Sequence, residues 1–68
     1  MDRVYKRIEV VGISSTSFDD AVKKAVEKAA STLHNLAWFE VIEQHGRIEG
    51  GKVAEFQAVV KIAFKLDQ

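Results

Sequence analysis

From Val53 to Leu66 the chain alternates two kinds of position without a break. Ala54, Phe56, Ala58, Val60, Ile62, Phe64 and Leu66 fall on one side, and Val53, Glu55, Gln57, Val59, Lys61, Ala63 and Lys65 on the other. A period of two is the pleat of a β-strand, whose successive side chains point to opposite faces. One face is therefore expected to be buried and the other wetter. At ~3.3 Å per residue such a strand spans roughly 46 Å, and the rest of a small chain has to accommodate it.

The residues before it complete a simple plan. Glu49-Gly50-Gly51-Lys52 has the turn chemistry of a hairpin, because glycine accepts positive φ freely. The spacing predicts a second strand from Trp38 to about Ile48, and a β-branched first strand from Val4 to Val11 that ends at Gly12. After a polar connection, Ile13 to Thr16, Ser17 is placed to cap a helix, with Asp20 at the reciprocal position of a capping box. The helix is predicted from about Phe18 to about Asn35. Phe18, Ala21, Val22, Ala25, Val26, Ala29, Ala30 and Leu33 form its apolar stripe. Lys23, Lys24, Glu27, Lys28 and Ser31 form its wet side. The expected fold is α+β, in the order β-α-β-β, with a three-stranded antiparallel sheet wrapping one helix in a single domain over residues 1–68.

A helix of ~18 residues spans roughly 27 Å, much less than the long hairpin. The uncovered apolar surface and the open strand edges call for partners. A chain of 68 residues is also marginal in stability by itself. It has no cysteine, which removes disulfides and thiolate metal sites. His34 and His45 alone do not make a zinc site. An obligate homo-oligomer is the expectation. Ten basic and ten acidic residues are interspersed and cancel, so there is no basic footprint for nucleic acid. No apolar run approaches the ~18 residues of a membrane span, and Met1-Asp2-Arg3-Val4 does not have the shape of a signal peptide. A cytoplasmic location is expected.

No catalytic constellation is visible, and the expectation is a protein that is not an enzyme. Ser14, Ser15 and Ser17 read as turn and cap residues, and His34 as a structural residue near the helix C-terminus. Trp38 has two readings, a core or interface residue and a stacking platform. In an oligomer it would appear twice at a two-fold axis, able to sandwich a planar heteroaromatic ring. Gln57 lies on the mixed face and offers donors and an acceptor to a polar ring edge; taken by itself it reads first as a solvated strand glutamine.

These residues together resemble the dodecins, small flavin-binding proteins. The resemblance rests on Val4-Tyr5-Lys6, on Glu9-Val10-Val11-Gly12 with its Ser/Thr-rich turn, and on Leu33-His34-Asn35-Leu36-Ala37-Trp38-Phe39-Glu40-Val41. Gly46-Arg47-Ile48-Glu49, Glu55-Phe56-Gln57 and Lys61-Ile62-Ala63-Phe64-Lys65-Leu66 complete it. It implies a hollow homododecamer built from trimers, with helices outside and sheets lining the interior. It also implies storage and photoprotective quenching of a flavin (FMN, riboflavin or FAD), stacked in pairs between symmetry-related copies of Trp38. Gln57 would bond the polar edge of the isoalloxazine, and His45, Tyr5 and Arg3 would complete the flavin site. Lys6, Lys28 and Lys65 would offer cations for coenzyme A. The chain departs from the family pattern at His45 and Lys65, where arginine is common, and at Ala63, where glycine is usual. Lysine lacks the bidentate fork that arginine brings to phosphate. Two rival functions remain: a flavin-dependent oxidoreductase with His45 as proton donor, and a structural or cation-binding assembly without flavin.

Overall fold

The structure is a computed structural model that describes residues 2–67; Met1 and Gln68, the two ends of the predicted domain, lie outside the described residues. Its elements are β1 (Tyr5–Ser14), α1 (Phe18–Ala30), β2 (Leu36–Glu49) and β3 (Lys52–Lys65). The order is β-α-β-β, as expected. The sheet runs β1-β3-β2, with both pairings antiparallel. The alternating segment is thus the central strand. Gly50 and Gly51 turn the hairpin with φ of 59° and 76°. Two consecutive left-handed residues match the twist of the flanking strands.

Several boundaries differ from those predicted. β1 continues through Gly12 to Ser14, with Gly12 opposite Ala58. Gly12 is therefore not a strand end; its lack of a side chain lets α1 lie directly on the strand. The helix stops at Ala30, five residues before Asn35. Ser31 Oγ donates to the Lys28 carbonyl at 2.6 Å, and Thr32 Oγ1 donates to that of Ala29 at 3.4 Å. Short hydroxyl side chains compete in this way with continued helix. Asn35 then reverses the chain with φ 63°. His34 consequently lies in the connection and not at the helix end. Trp38 is the third residue of β2, because the strand starts at Leu36.

Ser17 caps α1, accepting from the Asp20 N–H at 3.0 Å. The reciprocal arm of the predicted capping box is not formed. The Asp20 carboxylate instead accepts from Ser14 Oγ at 2.5 Å and pairs with Lys24 at 3.1 Å. Ser14, itself buried, also accepts from the Thr16 N–H at 2.9 Å and the Ser17 N–H at 3.4 Å. One hydroxyl thus ties the end of β1 to the first turn of α1.

The core lies between α1 and the face of the sheet carrying Ala58, Val60 and Ile62, which meet Ala21, Ala25 and Ala29. Ile8, Val10, Val22, Val26, Leu33 and Leu36 pack around it. The helix sits over β1 and β3 and barely reaches β2, so Phe39 and Val41 on β2 stay exposed. The opposite face has no helix, yet Val59 and Ala63 are buried there. They belong to the central strand, so side chains of β1 and β2 close over them from both sides.

The chain is spread out. Its extents are 54 × 20 × 13 Å and its radius of gyration is 14.1 Å, against about 11 Å for a compact chain of this length. Its accessible surface is 5036 Å², where about 4,300 Å² is usual for this mass. Val11, Ile13, Phe39, Ile42, Ile48 and Val53 are exposed large apolar side chains. A slab of this form leaves apolar surface on both faces.

Candidate functional site

The helix-free face of the sheet carries two clusters of the predicted site residues. The first lies at the end where β1 begins. Trp38 is register partner to Ala63, and Tyr5 to Lys65, on either side of β3. Their rings meet across the central strand, with centroids 4.8 Å apart and planes tilted by 55°. The Arg3 guanidinium lies 6.0 Å from the Tyr5 ring centroid, within reach of a cation–π attraction. Trp38 keeps 49% of its surface exposed despite this support. It is therefore not a core residue of this chain; Tyr5 packs against one side of the indole, and the rest faces outward.

The second cluster is nearer the hairpin turn. Gln57 is flanked by His45 on β2 and Ile13 on β1. Its Nε2 donates to Glu55 Oε1 at 3.1 Å. Arg47, register partner of Glu55, approaches the same carboxylate through Nε at 3.4 Å. Arg47 also bonds Glu49 through Nη1 at 3.2 Å. The hydrogen bond from Gln57, and then that from Arg47, hold the Glu55 carboxyl below the usual glutamate range.

Ala63 lies six residue steps along β3 from Gln57, roughly 20 Å along the strand. One chain therefore does not bring Trp38 and Gln57 to one small ligand. Nor does it gather the three lysines. Lys6 alternates onto the helix side opposite Phe64, and Lys28 borders the groove between α1 and β1, whereas Lys65 lies on the helix-free face with Tyr5. Among the described residues, no group of three or more His, Cys, Asp or Glu side chains is placed to hold a metal ion. No helix among the described residues is long and apolar enough to cross a membrane.

Sequence reasoning missed Glu55 and Arg47. Counting back from the Gly50-Gly51 turn in regular register pairs Arg47 with Ala54. A bulge between Arg47 and Ile48 shifts the ladder by one, so Arg47 meets Glu55. The opposite charges of the two residues were the only signal available.

The fold and these clusters define a flat β-α-β-β chain with the Tyr5–Trp38 ring pair and the Gln57 amide on one face. The sequence profile of the dodecin family matches residues 4–67, and the chain belongs to that family. It is 40% identical to the dodecin of Thermus thermophilus over 68 residues, 100% of this chain and 99% of that relative. The structure of a dodecin from Streptomyces davaonensis superposes with a TM-score of 0.95 at 37% identity, covering 100% of both chains. The calcium dodecin of Mycobacterium tuberculosis is 29% identical over 63 residues, 93% of this chain and 89% of that relative.

Proposed function

We propose that this chain binds and stores flavin without turnover, as a homododecamer whose symmetry mates each contribute half of a site. The observation that carries the reading is the half-exposed Trp38 indole, backed by Tyr5 on the helix-free face. A buried tryptophan would fill the core, and an unsupported one would bend away from a ligand; this one is held and open. Two copies facing each other across a two-fold axis would stack on both sides of a ligand pair, each contact worth about 0.5–1.5 kcal/mol beyond burial.

The residues present fit a flavin. Its isoalloxazine supplies a flat, light-absorbing, redox-active ring with a polar pyrimidine edge. The Trp38 indole would cover the flat face, and as an electron-rich ring it would quench the excited flavin by donating an electron and taking it back. The Gln57 amide retains one N–H and its carbonyl after bonding Glu55, enough to bond a polar edge. Because Gln57 lies roughly 20 Å from the Trp38 position on the same chain, the Gln57 that reads a flavin held by Trp38 comes from another subunit. Arg3 and Lys65 near the Tyr5–Trp38 pair, and position 45 beside the Gln57 that comes from the other subunit, are the proposed contacts for the phosphate of a flavin such as FMN. Stacking on both faces leaves no open side for an oxidoreductase substrate, which favours storage over catalysis. Lys6 and Lys28 on the helix side, with Lys65 of a neighbouring subunit, are the proposed cations for coenzyme A.

The test is titration of free flavin with purified protein, together with native mass. Strong quenching by a particle of about twelve subunits, lost in Trp38→Ala, is the expected result. Unquenched flavin overturns the reading. Colourless protein that gains heat stability with calcium and not with flavin would favour a cation-binding assembly instead, a function for which the calcium dodecin of Mycobacterium tuberculosis is a precedent.

A further inference from the structure

We infer that Glu55 is a positioning residue: its carboxylate fixes the Gln57 amide with Nε2 toward Glu55 and Oε1 turned away, so that the chain selects ligands whose polar edge presents an N–H to that oxygen. The inference rests on the flavin reading and names what sets its selectivity. An amide side chain can rotate by half a turn at little steric cost, exchanging a donor for an acceptor. A glutamine alone therefore does not distinguish an N–H edge from a carbonyl edge. An ionised carboxylate removes that freedom, because it only accepts.

The geometry meets this condition. Gln57 Nε2 lies 3.1 Å from Glu55 Oε1, in a part-buried position. Turning the amide over would set its carbonyl oxygen against the carboxylate, with two acceptors and no proton between them. Arg47, opposite Glu55 on β2, bonds the same carboxylate and is itself anchored on Glu49. The bulge after Arg47 creates that pairing. The hydrogen bond from Gln57, and then that from Arg47, keep Glu55 ionised to more acid pH than an ordinary glutamate. Three residues thus orient one amide, and Gln57 presents a carbonyl oxygen and one remaining N–H in fixed places. The matching edge is a ring N–H beside a carbonyl, as in the pyrimidine portion of an isoalloxazine.

The experiment compares riboflavin with 3-methylriboflavin, in which the ring N–H is replaced by a methyl group, on the assembled full-length chain. Fluorescence titration of the wild type is expected to favour riboflavin by roughly 30-fold, the cost of leaving a buried carbonyl unpaired. In Glu55→Gln the neutral amide at position 55 both donates and accepts, so Gln57 is free to turn over and donate to a ring carbonyl, which both ligands carry. The preference is expected to fall below about fivefold while both ligands still bind. A variant that weakens both ligands equally and keeps the wild-type ratio overturns the inference, since a merely structural role would do that. A second readout needs no ligand. The side-chain amide NMR signals of Gln57 are expected to move as Glu55 protonates in acid. Signals that stay constant through that range overturn the inference even where Glu55→Gln does not assemble. A wild type that binds neither flavin refutes the flavin reading, and the NMR titration then decides the Glu55–Gln57 coupling by itself.

Discussion

Gly12 of β1 lies so close to Ala21 of α1 that a Cβ on Gly12 would stand 2.0 Å from the Ala21 carbonyl oxygen. That oxygen is backbone of a helix and does not rotate away. The same Cβ would be 3.1 Å from the Ala25 methyl. Gly12→Ala is therefore expected to push α1 off the sheet and to cost about 3 kcal/mol or more, the upper end of overpacking effects. Thermal unfolding followed by circular dichroism checks it. A melting midpoint within a degree or two of wild type would show that the helix shifts at no cost.

Acid should loosen the junction of β1 and α1. Hydrogen bonds from Ser14 and then Lys24 hold the Asp20 carboxyl below the usual aspartate range. A carboxyl whose folded pKa is depressed adds stability above its unfolded pKa and loses it as the pH falls through the folded value. The contribution of Asp20 is thus complete at neutral pH, begins to be lost below about pH 4, and is gone once the folded carboxyl is protonated. Asp20→Asn should flatten the acid limb of the stability profile and lower the neutral plateau. Unfolding midpoints measured from pH 7 to pH 3 test this; parallel profiles for variant and wild type would contradict it. Glu55 is shifted in the same direction, so some acid dependence should persist in the variant.

How far the sequence prescribed this structure varies with the physics of each element. β3 and its turn were legible because a period of two over a whole strand, and a Gly-Gly pair, admit few other conformations. The helix start was legible in Ser17, but not the true partner of Asp20. Ser14 lies six positions earlier in the chain and meets Asp20 only after β1 has extended past Gly12. Reading Gly12 as a terminator was natural for an isolated strand; its actual cause is a helix packed on top of it. The apolar spacing of the helix runs on to Leu33, and Leu33 does pack against the core, though from the connection that follows α1. For the site, the stacking role of Trp38 was one of two open readings. The exposure of its indole, the support from Tyr5 and the distance to Gln57 depend on pairing across three strands, and a bulge hid Arg47 and Glu55 from any count of residues.

Phe39 offers a direct test of assembly. It alternates onto the helix side of β2, at the margin of α1, and keeps 52% of its surface exposed beside Val22 and Val26. In an isolated chain, Phe39→Glu would trade an exposed ring for an exposed charge and gain solubility. In an oligomer that covers this strip, it would bury a carboxylate and forgo the ring, a loss of about 3 kcal/mol or more per subunit. Sedimentation of the variant is expected to show species smaller than the wild-type particle, with weaker resistance to heat. A native mass identical to wild type would place Phe39 outside every interface.

His45 should decide which flavin the proposed site prefers. It is register partner to Gln57 and stands on the same face as Glu55 and Arg47. An arginine there would bring a permanent charge and a planar fork of donors suited to phosphate. His45→Arg is therefore expected to tighten FMN relative to riboflavin by about tenfold, the scale of one charge-assisted hydrogen bond partly screened by solvent. Riboflavin, which has no phosphate, should bind with nearly unchanged affinity. Parallel fluorescence titrations with the two flavins measure the ratio, and raising the salt concentration should reduce the gain because exposed charges are screened. An equal improvement for both flavins would mean that position 45 touches the ring and not the phosphate.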